Sequence, residues 1–179
     1  MSSKRPSKSS MKKSLLSNAP LKFALAIVSL GGVGYIKPAS ATWGSFATML
    51  LLILLGYSTL TLQAKFFLIV FVFFLGWLLS DYILRKTNLH DPHFIVIDEV
   101  VGMLIVALFL ESHLIIHMLI GFAFFRLFDI WKLWPASYFD RQKSAFAVMI
   151  DDVFMAIPAL LCAHILIWFF QYALFSPTI

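Results

Sequence analysis

Residues 66–84 are the part of the chain that most restricts its fold, because these 19 positions contain one charged residue, Asp81. An α-helix needs about 20 apolar residues to cross the hydrocarbon core of a bilayer. The whole chain has the same character, with a mean hydropathy of +0.91 and 19 Phe among 179 residues. A soluble domain of this size could not bury so much apolar surface. The sequence therefore predicts a membrane-associated protein.

The remaining apolar stretches predict an all-α fold, since strand-like alternation never lasts more than a few residues. The predicted helices cover residues 21–35, 44–62, 66–84, the stretch from 94 that is interrupted at 111–113, then 114–131 and 145–172. Gln63-Ala64-Lys65 is predicted as a tight break, residues 136–144 as a loop, and Pro158 as a bend or interruption in the last helix. We expect a compact multi-helix bundle with two to four transmembrane spans.

Basic residues are concentrated at the amino terminus, where six of the fourteen lie within the first 22 positions. Residues 1–20 are rich in Ser and Lys, which predicts a mobile arm beside the anionic lipids of the inner leaflet. Residues 21–179 are predicted to form a single membrane domain. A nucleic-acid partner is not expected, because no aromatic residues alternate with these bases. The positive-inside bias places residues 85–86 and 126–143 on the cytoplasmic side, together with the arm.

The first acidic motif is Ile97-Asp98-Glu99-Val100-Val101-Gly102-Met103. Asp98 and Gly102 are four residues apart and share a helix face, so the glycine is expected to leave space beside the carboxylate. Acids at a helix start also interact favourably with the helix dipole, which is the simpler explanation of the pair. However, carboxylates beside apolar segments are costly unless they bind a cation, pair with a base or line a wet cavity.

The second motif, residues 125–135, carries Arg126, Asp129 and Lys132 at intervals of three. On a helix these side chains cover one arc with Asp129 at its centre. An Arg–Asp pair and a lysine that reaches the interface would explain them without any chemistry. Guanidinium and ammonium groups also bind phosphoryl oxygens. Aromatic side chains flank the motif and are expected at the headgroup boundary of the membrane: Phe125, Phe128, Trp131 and Trp134.

The third motif, Asp151-Asp152, opens an almost wholly apolar helix. Adjacent carboxylates repel each other unless a cation lies between them, whereas capping a helix requires only one. We therefore favour metal ligation. Several carboxylates with an arginine and a lysine predict a divalent metal and a phosphate, and hence phosphate chemistry at a membrane surface. The chain has neither a G-x-S-x-G nor a C-x₅-R motif, so a Ser or Cys nucleophile is unsupported.

Taken in order, these motifs resemble the phosphatidylglycerophosphatase A family. The resemblance is carried by H-D at 90–91, I-D-E-x-x-G-M at 97–103, F-R-x-F-D-x-W-K-x-W-P at 125–135, F-D-R at 139–141 and M-I-D-D at 149–152. Upstream, Gly32, Gly34, Thr42, Gly44 and Ser45 resemble the Gly/Pro-rich loop of the family. Leu133 replaces a usual proline and Ala41 a usual glycine, both at backbone positions. The charged positions are intact.

The resemblance implies a magnesium-dependent phosphatase that converts phosphatidylglycerophosphate to phosphatidylglycerol. It implies a bacterial inner-membrane location, with the site facing the cytoplasm and a phospholipid as the substrate. The expected Mg²⁺ ligands are Asp98, Glu99, Asp151 and Asp152. Arg126 and Lys132 are expected to contact the phosphate, and Asp129 to position Arg126, act as the base or join the metal ligands. Further candidate site residues are His90, Asp91, Thr42 and Asp140.

Two functions from other classes remain as alternatives. In a small cation transporter or channel, the acids would form an ion path and would be distributed across the membrane depth. In a non-catalytic membrane scaffold, the charges would only pair with one another. The acids of this chain gather at helix ends and connectors, which favours the phosphatase.

Overall fold

The computed structural model describes residues 19–87, 92–111, 114–132, 134, 136–140, 142 and 144–175, so most of the predicted amino-terminal arm lies outside the described residues. Seven α-helices follow one another in the described part: α1 Ala19–Val28, α2 Ser40–Leu54, α3 Leu62–Thr87, α4 Ile97–Val106, α5 Ile115–Trp131, α6 Ala136–Asp140 and α7 Ala145–Phe175. Two 3₁₀ turns, Val33–Tyr35 and Tyr57–Thr59, complete the order, and the described residues contain no strand.

Helix α4 lies at the centre of the bundle. Eight of its ten residues are buried, and α2, α3, α5 and α7 all pack against it. Its apolar residues occur on every side of the helix, which is the pattern of a helix with no solvent-facing surface. The polar groups at both ends of α4 must therefore find partners inside the protein or in a ligand.

Two side chains provide partners at the carboxyl end of α4. The Tyr57 hydroxyl donates to the Leu104 carbonyl at 3.0 Å, and the Lys65 ammonium donates to the Leu108 carbonyl at 2.9 Å. The last carbonyls of a helix have no partner within the helix, and cations are favoured there by the helix dipole. Lys65 also lies 5.1 Å from the centre of the Tyr57 ring. These contacts explain why a lysine is buried in an apolar bundle.

Two helices are long and apolar enough to cross a membrane, namely α3 and residues Ala145–Ala173 of α7. Only 17% and 22% of their most apolar segments are buried inside the protein, so most of their apolar surface faces outward. The core helix of a soluble protein would show the opposite. The prediction of an all-α, membrane-associated bundle is confirmed, with two such helices at the lower limit of the predicted range.

Several predicted boundaries were wrong. The chain reverses at Leu55–Thr61, where Gly56 has a φ of 62°, and Lys65 lies inside α3 rather than in the break. The predicted helix 44–62 is α2, whose 15 residues measure about 22 Å, short of the roughly 30 Å bilayer core. The predicted loop 136–144 contains the short helix α6. Helix α7 continues through Pro158, so the alternative of an interruption there was wrong.

Small residues set the closest contacts with α4. A Cβ atom added at Gly102 would collide with the Phe125 ring, and one added at Gly121 would lie 2.8 Å from Val106 Cγ1. The expectation that Gly102 leaves space beside Asp98 was therefore wrong, because the Phe125 ring fills that space. Phe125 is fully buried and was also wrongly expected at the headgroup boundary.

Gly102→Ala tests this crossing. Overpacking at the Phe125 ring should lower the free energy of unfolding by about 1–3 kcal/mol. In the double variant Gly102→Ala/Phe125→Leu, the smaller side chain should relieve the collision, giving a coupling energy of about 1 kcal/mol or more. The measurement is unfolding of the detergent-solubilised protein by SDS titration. Strict additivity of the two single changes would contradict the close packing.

Candidate active site

The carboxyl end of α3 and the amino ends of α2, α4 and α7 surround a cavity of about 240 Å³. Five carboxylates from the three acidic motifs line it, together with one lysine: Asp98, Glu99, Asp129, Asp151, Asp152 and Lys132. All five acidic residues are buried. Such a concentration of like charges in a buried wall is unfavourable without a cation.

Three of these carboxylates form a group that could hold a metal. Asp98, Glu99 and Asp152 each offer an oxygen, and the three atoms lie within 4.8 Å of one another. Glu99 Oε2 and Asp152 Oδ2 are buried without a hydrogen-bond partner. Oxygen atoms from carboxylates are the ligands that Mg²⁺ and Ca²⁺ prefer. The donor set and its unpartnered oxygens therefore fit a hard divalent cation.

The two adjacent pairs use their members differently. In each pair the first carboxylate accepts the backbone N–H of the second, from Glu99 to Asp98 Oδ1 and from Asp152 to Asp151 Oδ1, both at 3.1 Å. Asp98 and Glu99 both join the metal-competent group. In the other pair only Asp152 belongs to this group, while Asp151 forms an ion pair with a basic residue. A local bond of this kind orients the carboxylate before any ligand arrives.

That base is Lys132, whose ammonium lies 3.1 Å from Asp151 Oδ2. Lys132 ends α5 in a left-handed conformation with a φ of 43°, which turns the chain sharply at this residue. The Lys132 side chain is 35% exposed and lies in the cavity wall, whereas the Asp151 side chain is 5% exposed. The lysine is therefore partly exposed at the cavity wall and held by a buried carboxylate.

Arg126 occupies a different position from the one expected for a phosphate contact. Its NH1 lies 2.8 Å from Asp129 Oδ2 and donates to Ser45 Oγ at 3.4 Å. Asp129 lines the cavity, but Arg126 is not among the described residues that do. Arg126 Nε is buried without a partner. In this arrangement the guanidinium holds Asp129 from behind the cavity wall.

Burial and mutual repulsion change the acidity of the carboxyl groups on α4. Burial, reinforced by the neighbouring Glu99, raises the pKa of Asp98 well above its usual range. Burial also raises the pKa of Glu99 from 4.5 to about 7, with contributions from Asp152 and Asp129 that a hydrogen bond with Asp98 partly offsets. Without a cation, the group therefore retains protons at neutral pH.

The other predicted site residues do not join the cavity within the described part of the chain. Thr42 lies in the first turn of α2, half-buried, and is not among the residues that line the cavity. His90 and Asp91 lie outside the described residues, as does the side chain of Asp140 at the end of α6. Trp131 and Trp134 are 62% and 82% exposed, as an interfacial position requires.

Sequence reasoning missed three polar residues of the cavity wall: Ser40, Ser80 and His93. Ser80 is the one serine or threonine in the predicted helix 66–84, which is a weak signal. Ser40 and His93 belong to connectors that are far apart in sequence, and the Ser40 hydroxyl donates to the His93 carbonyl. Only the fold brings these residues together.

Fold and site define a small helical membrane protein with a buried, metal-competent carboxylate cavity where several helix ends meet. The family described as Phosphatidylglycerophosphatase A matches residues 26–167, and the chain belongs to this family. Phosphatidylglycerophosphatase A of Haemophilus influenzae is 43% identical over 136 residues, which cover 73% of this chain and 80% of that protein. The Escherichia coli protein of the same name is 36% identical over 87 residues, 46% of this chain and 51% of that protein. No solved structure matches this chain.

Stability should depend on pH and on divalent metal together. The Glu99 carboxyl titrates near 4.5 when unfolded and near 7 when folded, so the folded protein binds more protons between these values. Stability without metal should therefore fall as pH rises through this window. The measurement is the Tm in detergent with EDTA at pH 5 and pH 8.

Mg²⁺ should raise the Tm at pH 8 by more than at pH 5, because protons compete with the metal for the same oxygens. Glu99→Gln should weaken both the pH dependence and the response to Mg²⁺. An equal Mg²⁺ effect at the two pH values would contradict this assignment.

Proposed function

We propose that this protein hydrolyses the terminal phosphomonoester of phosphatidylglycerophosphate, releasing phosphate and phosphatidylglycerol, in a reaction that depends on Mg²⁺. The observation that carries the proposal is the group formed by Asp98, Glu99 and Asp152, whose unpartnered oxygens share a cavity with Lys132. The names of the related proteins supply the substrate. A divalent cation held by this group and the ammonium of Lys132 would together balance the charge of a phosphate dianion in the cavity.

Mg²⁺ would be held by Asp98, Glu99 and Asp152, and when bound it would neutralise phosphoryl charge and lower the pKa of a bound water. Asp151 is assigned a different role from the one expected, because it pairs with Lys132 at 3.1 Å. This pairing holds the ammonium toward the cavity, where it binds a phosphoryl oxygen. A preorganised cation of this kind stabilises the charge that develops in phosphoryl transfer.

Asp129 is the best candidate for a proton acceptor. It lines the cavity beside the metal-competent group, and the Arg126 guanidinium, whose NH1 lies 2.8 Å from Asp129 Oδ2, fixes its orientation. We assign Arg126 a positioning role, since it reaches the cavity through Asp129. A carboxylate held in one orientation can accept a proton from an attacking water within hydrogen-bond reach.

We further propose that the cavity faces the cytoplasm from the bacterial inner membrane. The exposed Arg85 and Lys86 end α3 at the level of the cavity, which is the side that the positive-inside rule assigns to the cytoplasm. Trp131 is the last residue of α5 and Trp134 follows the helix at the same end. A phospholipid headgroup at this surface can therefore reach the cavity while its acyl chains stay in the bilayer.

Asp152→Asn tests the metal group. Phosphate release from phosphatidylglycerophosphate in mixed micelles should fall on the order of 100-fold, with weaker Mg²⁺ binding by calorimetry. Asp81→Asn is the matched control, because Asp81 is paired with Arg85 on the surface of α3, away from the cavity. Full turnover in Asp152→Asn would remove this residue from the metal site.

Lys132→Met tests the phosphate contact. The value of kcat/KM should fall about 100-fold while Mg²⁺ affinity stays within a few-fold, because the ammonium binds the phosphate rather than the metal. Lys86→Met, which removes an exposed cation from the end of α3, should keep normal kinetics. Ion flux through proteoliposomes without phosphate release from the wild type would support a transporter instead.

A further inference from the structure

We propose that the same cavity contains a second anion subsite, formed by the amino terminus of α2 and the Ser80 hydroxyl, which binds the inner phosphodiester of the substrate headgroup. This inference rests on the proposed phosphatase function and concerns how the enzyme selects its substrate. The subsite would distinguish a lipid with two phosphate groups from one with a terminal phosphate alone.

Ser80 differs from three other hydroxyl residues on the helices of the bundle. Ser45, Thr48 and Thr87 each donate to the carbonyl four residues earlier, at 2.7–2.9 Å. Ser80 is 3% exposed and lines the cavity, yet its Oγ has no hydrogen-bond partner. A buried hydroxyl without a partner is costly unless a ligand or water satisfies it. The Ser80 hydroxyl is therefore available to a molecule in the cavity.

The amino terminus of α2 reaches the same cavity. Ser40 and Ala41, the first two residues of this 15-residue helix, line it. The preceding Ala39 has a φ of 62°, and no side chain caps the helix. The first backbone N–H groups of a helix have no partner within the helix, and the helix dipole favours an anion beside them. Ala39 and Ala41 have no side-chain oxygen that could serve instead.

Helix contacts place Ser80 away from the metal-competent group. A Cβ on Gly76 would lie 2.8 Å from Met149 Cε, and the carboxyl part of α3 lines the same cavity as the first turns of α7, so the two helices are antiparallel neighbours. Ser80, one turn after Gly76, is therefore level with Ala145. Asp152 lies seven positions after Ala145, which is about 10 Å along the helix axis.

Helix α2 begins at a similar level. A Cβ on Gly44 would lie 2.8 Å from Val96 Cβ, just before α4 begins, and Ser40 lies one turn earlier on α2. The uncapped N–H groups and Ser80 thus lie at one end of the cavity, displaced along the helix axes from the metal-competent carboxylates. In phosphatidylglycerophosphate a three-carbon glycerol bridge separates the terminal phosphomonoester from the phosphodiester. Two separate sites in one cavity suit these two phosphate groups, the metal-competent group for the phosphomonoester and the Ser80 end for the phosphodiester.

The test compares two lipids in mixed micelles with Mg²⁺. Phosphatidylglycerophosphate has both phosphate groups, whereas phosphatidic acid has a terminal phosphate and no phosphodiester. Ser80→Ala should raise KM for phosphatidylglycerophosphate about 10-fold, because it removes a hydrogen bond to a charged group, and should change kcat/KM for phosphatidic acid less than twofold. Thr48→Val, which removes a hydroxyl bonded within α2, should leave both substrates unchanged.

Ala41→Asp provides a second variant that keeps the fold, because an acid in the first turn stabilises a helix. Its carboxylate should exclude the phosphodiester, with a KM increase of about 10-fold or more for phosphatidylglycerophosphate alone.

Equal losses on both lipids in the two variants, or no loss on either, would overturn the subsite. Stimulation of phosphatidic acid hydrolysis by added phosphatidylglycerol would assign the site to a neighbouring lipid and also overturn the proposal. Absence of phosphate release by the wild type would refute the phosphatase function itself.

Discussion

The central constraint on this structure is that three carboxylates, two of whose oxygens have no hydrogen-bond partner, lie close together inside a helical bundle. Asp98 and Glu99 open a central helix that four other helices enclose, and Asp152 meets them from α7. Repulsion among these groups opposes the fold, and burial strengthens the repulsion because the surroundings have a low dielectric constant. Hydrophobic packing of α4 on all sides must therefore outweigh this cost. Such a site is poised to gain stability when a divalent cation enters.

The membrane context explains how that packing is achieved. Helices α3 and α7 expose most of their apolar surface to the bilayer, so lipid rather than protein satisfies their outer faces. The shorter helix α4 ends within the protein, and its carbonyl groups need internal donors. Tyr57 and Lys65 supply them at one end, while the acidic group occupies the other. The polar contacts of α4 thus lie at its two ends.

Sequence patterns predicted the helical class and the charged motifs, but not which partner each charged side chain contacts. Asp151-Asp152 reads as one metal-binding pair, yet Lys132 takes the first carboxylate and leaves the second for the metal-competent group. Arg126 reads as a phosphate contact, yet it lies behind Asp129. These differences arise because each side chain follows the rotation of its helix against its neighbours, which residue spacing within one helix does not specify.

The sequence by itself determined that this protein is helical, enters the membrane and carries acids and bases suited to a metal and a phosphate. These properties are local: a bilayer-length apolar run and the chemistry of a side chain do not depend on distant residues. Only the tertiary structure decided which groups meet. Asp98 and Asp152 are 54 positions apart, and close helix packing brings their oxygens within 4.8 Å. The same holds for Ser80 and the uncapped start of α2. They can form one site only because the folded protein places both in the wall of one cavity.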